Sequence, residues 1–154
     1  MSVIKSQGTH LHWATAATTN NKVTCATGIS GLGGAADQVD ITCLDDSERK
    51  FVKGLGNPGQ VTVPFNLHAD DASHSALMAL KESGAVVSWG IYGSQATTAP
   101  TTVGSVMQPV VGRTSAIFNG YISDINIDVA GNDIWKGTIT IQRSGAVAWD
   151  LTLT

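Results

Sequence analysis

The sequence predicts a mainly β domain, a sandwich or barrel with one flanking α-helix, and three observations predict it. Apolar residues recur at every second position through most of the chain, a single segment carries helix signals at both ends, and charge is sparse while Thr and Gly are abundant. The 154 residues suit one domain, 1–154. Charged residues make up 14% of the chain, against roughly 25% in ordinary soluble domains, and 17 Thr, 13 Ser and 17 Gly keep it polar instead. A surface of that kind suits strands, turns and contact with other protein.

Two weaker alternating runs come first, Val23, Cys25, Thr27 and Ile29, then Val39, Ile41 and Cys43, separated by Gly31-Leu-Gly-Gly-Ala-Ala. Paired as a hairpin centred near Gly34, they would set Cys25 opposite Cys43. Reduced thiols are expected there, because two cysteines in a chain of cytosolic type make no disulfide framework. The densest charged stretch follows, Asp45-Asp-Ser-Glu-Arg-Lys50, and runs straight into Phe51, Val52 and Leu55. It reads either as a solvated turn or as a polar contact strip. Val61, Val63, Phe65 and Leu67 then alternate with Thr62, Pro64 and Asn66, a strand with one buried face.

The helix is expected over 70–84. Asp70 and Asp71 can cap its first amides, Gly84 supplies the left-handed terminus, and Ala76, Leu77 and Leu80 form a narrow apolar stripe continued by Ala69 and Ser73. Next, 85–92 is apolar at both parities, with Val86 and Tyr92 on one and Val87, Trp89 and Ile91 on the other. Such a strand is either central and covered twice or lies at a subunit contact. Residues 93–114 carry no charge until Arg113, and so long a loop is uncommon unless it packs on something. Three final runs, Ile125–Val129, Trp135–Ile141 and Val147–Leu153, predict an antiparallel meander with turns at Gly131-Asn132 and Ser144-Gly145.

Chemistry is hard to place on this pattern. Gly54-Leu-Gly-Asn-Pro-Gly59 has the letters of a dinucleotide fingerprint but leads into a strand, where the fingerprint needs a helix N-terminus. His10 and His12 share a strand face, and His68, Asp70, Asp71 and His74 gather at the helix start. Capping explains the second group, and the first lacks further ligands. No nucleophile elbow, zinc-protease helix or phosphate loop is present. No catalytic site, metal or cofactor is therefore expected. A net charge of −3 without any block of like charges argues against a polyanion-binding surface, and the lack of a long apolar run argues against a membrane span or secretory signal.

From Val39 to Val63 the order Asp45-Asp46, Glu48-Arg49, Gly54-Leu55, Pro58-Gly59 and then an alternating strand, followed by an acid-capped helix, resembles the tail tube (major tail) proteins of long-tailed, lambda-like bacteriophages. The resemblance covers roughly 23–92. It implies a β-sandwich or barrel with one helix, assembled as hexameric rings that stack into a tube conducting phage DNA, with relatives in the inner tubes of contractile tails and type VI secretion systems. It also implies that the loop matching Leu44 to Gly59 reaches neighbouring subunits. The partners it implies are further copies of the chain, the tape measure, tail tip and terminator proteins, and DNA that passes without specific binding. The location is the virion, after assembly in the host cytoplasm.

On that basis Asp45, Asp46, Glu48, Arg49, Phe51 and Leu55 are expected at the subunit contact, with Trp89 and Tyr92 as buried anchors. Asp37, Asp40, Asp124 and Asp128, on polar strand positions, are expected to line the lumen, where acids would let DNA slide. Two rivals are a carbohydrate- or receptor-binding sandwich stacking Trp13, Trp89, Trp135 and Trp149 on sugars, and a jelly-roll metalloenzyme using His10 and His12. For the tryptophans, burial is the better account, since three sit at core-parity or central positions.

Overall fold

In a computed structural model of the chain, which describes residues 3–151, the elements are β1 (His10–Ala14), β2 (Asn20–Lys22), β3 (Ala36–Asp40), β4 (Phe51–Gly56), β5 (Gln60–Asn66), α1 (Ala72–Ser83), β6 (Val87–Tyr92), β7 (Thr102–Val103), β8 (Val106–Met107), β9 (Ser115–Asp128) and β10 (Lys136–Asp150). Six of them form one antiparallel sheet in the order β2-β1-β6-β9-β10-β5, while β3–β4 and β7–β8 are separate ribbons. The fold is mainly β with one helix, as the alternation predicts.

The sheet closes on itself. Val23 still donates to Leu11 O of β1, and Cys25, two residues on, accepts from Asn66 N of β5. Two residues span at most ~7 Å, so both edges of the sheet meet there. Residues 26–30 then run antiparallel to β5, with bridges Ala26↔Phe65 and Ser30↔Thr62. Gly31 makes the close approach possible: its φ is +93°, and a Cβ would stand 2.0 Å from Gln60 O. The expected hairpin centred near Gly34 does not form, because 25–30 fills the open edge of β5 and β3 pairs with β4 instead. Cys25 and Cys43 are both exposed and free.

Inside the closed sheet, one core gathers Leu11, Trp13, Val61, Val63, Phe65, Trp89, Phe118, Ile122, Ile139 and Ile141. The registers Trp13↔Trp89, Trp89↔Phe118, Ile141↔Ile122 and Val61↔Ile141 put these side chains on a single face. Leu77 and His74 bring α1 onto this core, the His74 ring lying 4.9 Å from that of Phe65. Asp71 caps the helix by accepting from Ser73 N at 2.8 Å, and Gly84 ends it in the left-handed region with φ 67°. A hydrogen bond from the Thr24 hydroxyl holds the Asp71 carboxyl below its ordinary range. His74 is committed to the backbone, its Nε2 donating to Thr24 O (2.9 Å) and its Nδ1 accepting from His68 N (3.1 Å).

The C-terminal third corrects the predicted meander. Two strands of 14 and 15 residues replace three, and only Gly131-Asn132 is a turn. Ser144-Gly145 lies within β10, where the ladder to β9 skips from Ser144↔Asn119 to Ala148↔Ile117. A left-handed glycine serves a bulge as well as a hairpin turn, and β9 is long enough to go on pairing beyond it. Leu153 lies outside the described residues.

The doubly apolar strand β6 is central and covered on both faces by this chain. One face meets the main core; the other carries Ser88 and Tyr92 beneath Met107 and Val110 of the 93–114 connection. Arg113 fixes that connection. It is 1% exposed, its Nε donates to Gly93 O (2.7 Å), Nη1 to Thr98 O (2.8 Å) and Nη2 to Tyr92 O (3.4 Å), and its guanidinium lies 5.6 Å from the centre of the Tyr92 ring. Burial pushes the Tyr92 hydroxyl up to about 12, partly opposed by that guanidinium.

Candidate assembly surface

Residues 36–56 form a ribbon that joins neither the main sheet nor its core. β-branched and aromatic residues favour its two strands, and Asp46 closes its tip. The Asp46 carboxylate accepts from Lys50 Nζ and from Cys43 N, both at 2.8 Å, and these two bonds keep its pKa below the ordinary carboxylate range. Asp40, likewise held low by Thr42, accepts from Thr42 N (2.9 Å), and Ile41 N donates to Lys50 O (3.0 Å). The register is Val39↔Val52 and Asp40↔Phe51.

That register makes the ribbon apolar on both faces. Val39, Ile41 and Val52 share one, and Phe51 lies on the other beside Asp40 and Lys53; an extra residue between Lys53 and Gly56 makes a bulge opposite Asp37 and turns Leu55 to the Val52 side. Nothing covers either face: Val39, Ile41, Phe51 and Val52 are about half exposed, Leu55 is 85% exposed, and Leu44 at the tip is fully open. A two-stranded ribbon is marginal on its own, and contiguous exposed apolar area marks a contact surface.

Of the residues expected at the contact, Asp45, Glu48 and Arg49 are exposed around the tip, and Phe51 and Leu55 are exposed along β4. Asp46 is largely used inside the turn. Trp89 and Tyr92 are corrected: both are 0% exposed within the chain, with Trp89 Nε1 donating to Gly120 O (3.1 Å) and Tyr92 OH to Gln108 O (2.8 Å). Alternation shows that a second face is covered; it does not show whose residues cover it. Sequence reasoning missed Val39 and Ile41, which it places in the hairpin with 23–29, and it names Val52 beside the charged strip without including it among the contact residues.

The four acids expected at the lumen fall on two surfaces. Asp37 and Asp40 sit on β3, whereas Asp124 and Asp128 sit on the outer face of β9, paired with Thr140 and Lys136 of β10. That outer face continues through Asn126, Thr138, Gln142, Thr62 and Asn66, mostly polar, with Pro64 and Tyr121 among them. Among the tryptophans, Trp13 and Trp89 are buried, but Trp135 and Trp149 are each 54% exposed, against the expectation of burial. They lie at opposite ends of β10, roughly 45 Å apart by strand rise, and cannot form one sugar platform. His10 and His12 stand with ring centres 6.0 Å apart, and no cluster of three or more His, Cys, Asp or Glu able to hold a metal occurs among the described residues.

A family model described as "Phage tail tube, TTP, lambda-like" matches residues 2–152. The chain belongs to the lambda-like phage tail tube family. Structural protein 3 of Pseudomonas phage PAJU2 is 33% identical to it over 150 residues, covering 94% of this chain and 92% of the relative. Among solved structures, the SPP1 tail tube superposes with a TM-score of 0.70 at 10% identity, over 98% of this chain and 82% of that one. The tail of an empty gene transfer agent particle, computed by helical refinement with C6 symmetry, superposes with a TM-score of 0.67 at 12% identity, over 96% and 99%. At such identities the likeness concerns the fold. This tail tube protein is a structural component of the virion, and none of its described helices is long and apolar enough to cross a membrane.

Proposed function

We propose that this tail tube protein closes into hexameric rings, that the rings stack into a hollow tube, and that phage DNA passes through it to the host. One observation carries the reading: the 36–56 ribbon exposes two apolar faces and two open edges that its own body leaves uncovered. Burying them needs another copy, and a ring converts such edges into paired ones. The sixfold symmetry of the gene transfer agent tail supports the ring number.

In this reading Val39, Ile41, Phe51, Val52 and Leu55 supply the apolar contact, with Asp45, Glu48 and Arg49 at its polar rim. The face carrying Asp124 and Asp128 forms the lumen wall. Its Thr, Asn and Gln side chains with two acids and Lys136 bring little cationic charge to phosphate, so DNA slides without releasing counterions. The tape measure would occupy that lumen, and tail tip and terminator proteins would cap the two ends.

Negative-stain microscopy of the concentrated protein tests the proposal. Wild-type chains are expected to form rings and tubes, while Phe51→Ala and Arg49→Glu shorten or abolish them with the circular dichroism of the monomer unchanged. Tubes of wild-type length from both variants would refute the contact assignment.

A further inference from the structure

Between the root of the ribbon and the end of β10 lies an open cleft of about 500 Å³, walled by Leu32, Lys53, Asn57, Val147 and Trp149, with Arg143 at its base. Its lining holds two cations and no carboxylate. Arg143 continues the core parity of Gly137, Ile139 and Ile141 and is 4% exposed. Its guanidinium donates through Nη2 to Gly33 O, and Nε has no partner. The contrast with Arg113, which donates to three carbonyls and lies over an aromatic ring, is direct.

Glycines keep the space around the Arg143 guanidinium clear. A Cβ on Gly34 would stand 3.0 Å from Nη2 and one on Gly59 3.6 Å. Burying a charge with so little compensation is unfavourable, and a carboxylate in the cleft would offset it through charge-assisted hydrogen bonds.

We infer that this cleft receives the acidic tip of the same ribbon from a neighbouring copy, a reading that rests on the assembly proposed above. The tip offers the matching chemistry: Leu44 is fully exposed, and Asp45 and Glu48 are exposed with no ion pair among the described residues. Leu44 suits the apolar walls of Leu32, Val147 and Trp149, and the carboxylates suit Arg143 and Lys53. Asp46 is already engaged by Lys50. Tip and cleft lie at opposite ends of the same ribbon: the pair Ala36↔Gly56 stands at the cleft, the strands run from there to Asp40↔Phe51, and the turn carrying Asp45 and Glu48 lies beyond. Tip-to-root contact joins two different surfaces of the chain, and a contact of that type propagates from copy to copy.

The test is a charge swap in the full-length chain. Glu48→Lys and Lys53→Glu, both at exposed positions, are each expected to raise the protein concentration needed for tube formation about tenfold, with the double variant returning to within about threefold of wild type. A covalent readout uses the native Cys43 beside the tip. In a Cys25→Ser background, Ala146→Cys on the cleft wall should yield a ladder of cross-linked multimers after diamide oxidation, and Ser123→Cys on the opposite face of β9 should not. Single reversals that polymerise like wild type, or assembled tubes without a ladder, overturn the inference and leave the tube standing. A wild-type chain that never assembles overturns both.

Discussion

The 93–114 connection and the 36–56 ribbon are about equally long, each is built on a short hairpin, and they end in opposite situations. The connection is nearly uncharged, yet it is folded down on β6 by Met107, Val110 and three carbonyl bonds from Arg113. The ribbon holds the densest charge in the chain, yet it leaves six large apolar residues open. Charge density is therefore a poor guide to which segment awaits a partner. What decides is whether a segment's apolar faces have somewhere to go within their own chain. The connection has the second face of a central strand to cover. The ribbon leaves the body after 25–30 has already taken the last open sheet edge.

That comparison can be broken most sharply at Arg113. Replacement by Met should destabilise the isolated protein by about 2–4 kcal/mol in urea titration, because the carbonyls of Tyr92 and Gly93, both buried, and of Thr98, part-buried, lose a donor. The 93–114 amides should then exchange with solvent before those of β9 and β10. If Arg113→Met unfolds at the wild-type urea midpoint, the connection is not held by this side chain.

A smaller effect sits where β1 meets the same connection. His12 is buried, its Nδ1 bonds to Asn20 Oδ1 at 3.1 Å, and its Nε2 has no partner. Burial pulls its pKa down to about 4, and the Asn20 bond opposes this only in part. Since the folded value lies below the ordinary 6.5, the unfolded chain binds the proton first and stability falls as pH drops from about 6.5 toward 4. The expected loss is on the order of 1–2 kcal/mol after allowance for partial solvent access. His12→Gln should flatten denaturation midpoints measured between pH 7 and pH 4.5, and an unchanged slope would remove His12 as its source.

The smallest effect is predicted on the ribbon. Phe51→Ala removes a half-exposed ring that belongs to neither core cluster, so monomer stability should change by no more than about 0.5 kcal/mol. A loss above about 2 kcal/mol would mean that the ribbon is part of the body's core after all, and the contrast with 93–114 would disappear.

Much of this was legible in the chain. Val61, Val63 and Phe65 are the core face of β5 and Ile139 and Ile141 that of β10, with Trp135 outside it, and the helix with its Asp71 and Gly84 caps lies within 70–84 as expected. The ribbon's Phe51 and Leu55, expected from the sequence at the subunit contact, are 50% and 85% exposed. Two misreadings share one cause. Ser144-Gly145 and the glycines near 34 carry turn chemistry, but turn chemistry states what the backbone can do locally, while the strand available to pair is set elsewhere. Arg143 left a signal that went unread, a charged residue at core parity directly after Ile139 and Ile141.

The sequence by itself determined the β class, the single capped helix and the faces of the regular strands, because side-chain period and terminal caps are properties of neighbouring residues. Only the tertiary structure decided that 25–30 would close the sheet, that Trp89 and Tyr92 would serve this chain's own core, and that the ribbon would stand bare with a partly satisfied guanidinium at its root. Those outcomes depend on which of several compatible edges and faces meet first in space. Burial and pairing energies between residues far apart in the chain settle that choice.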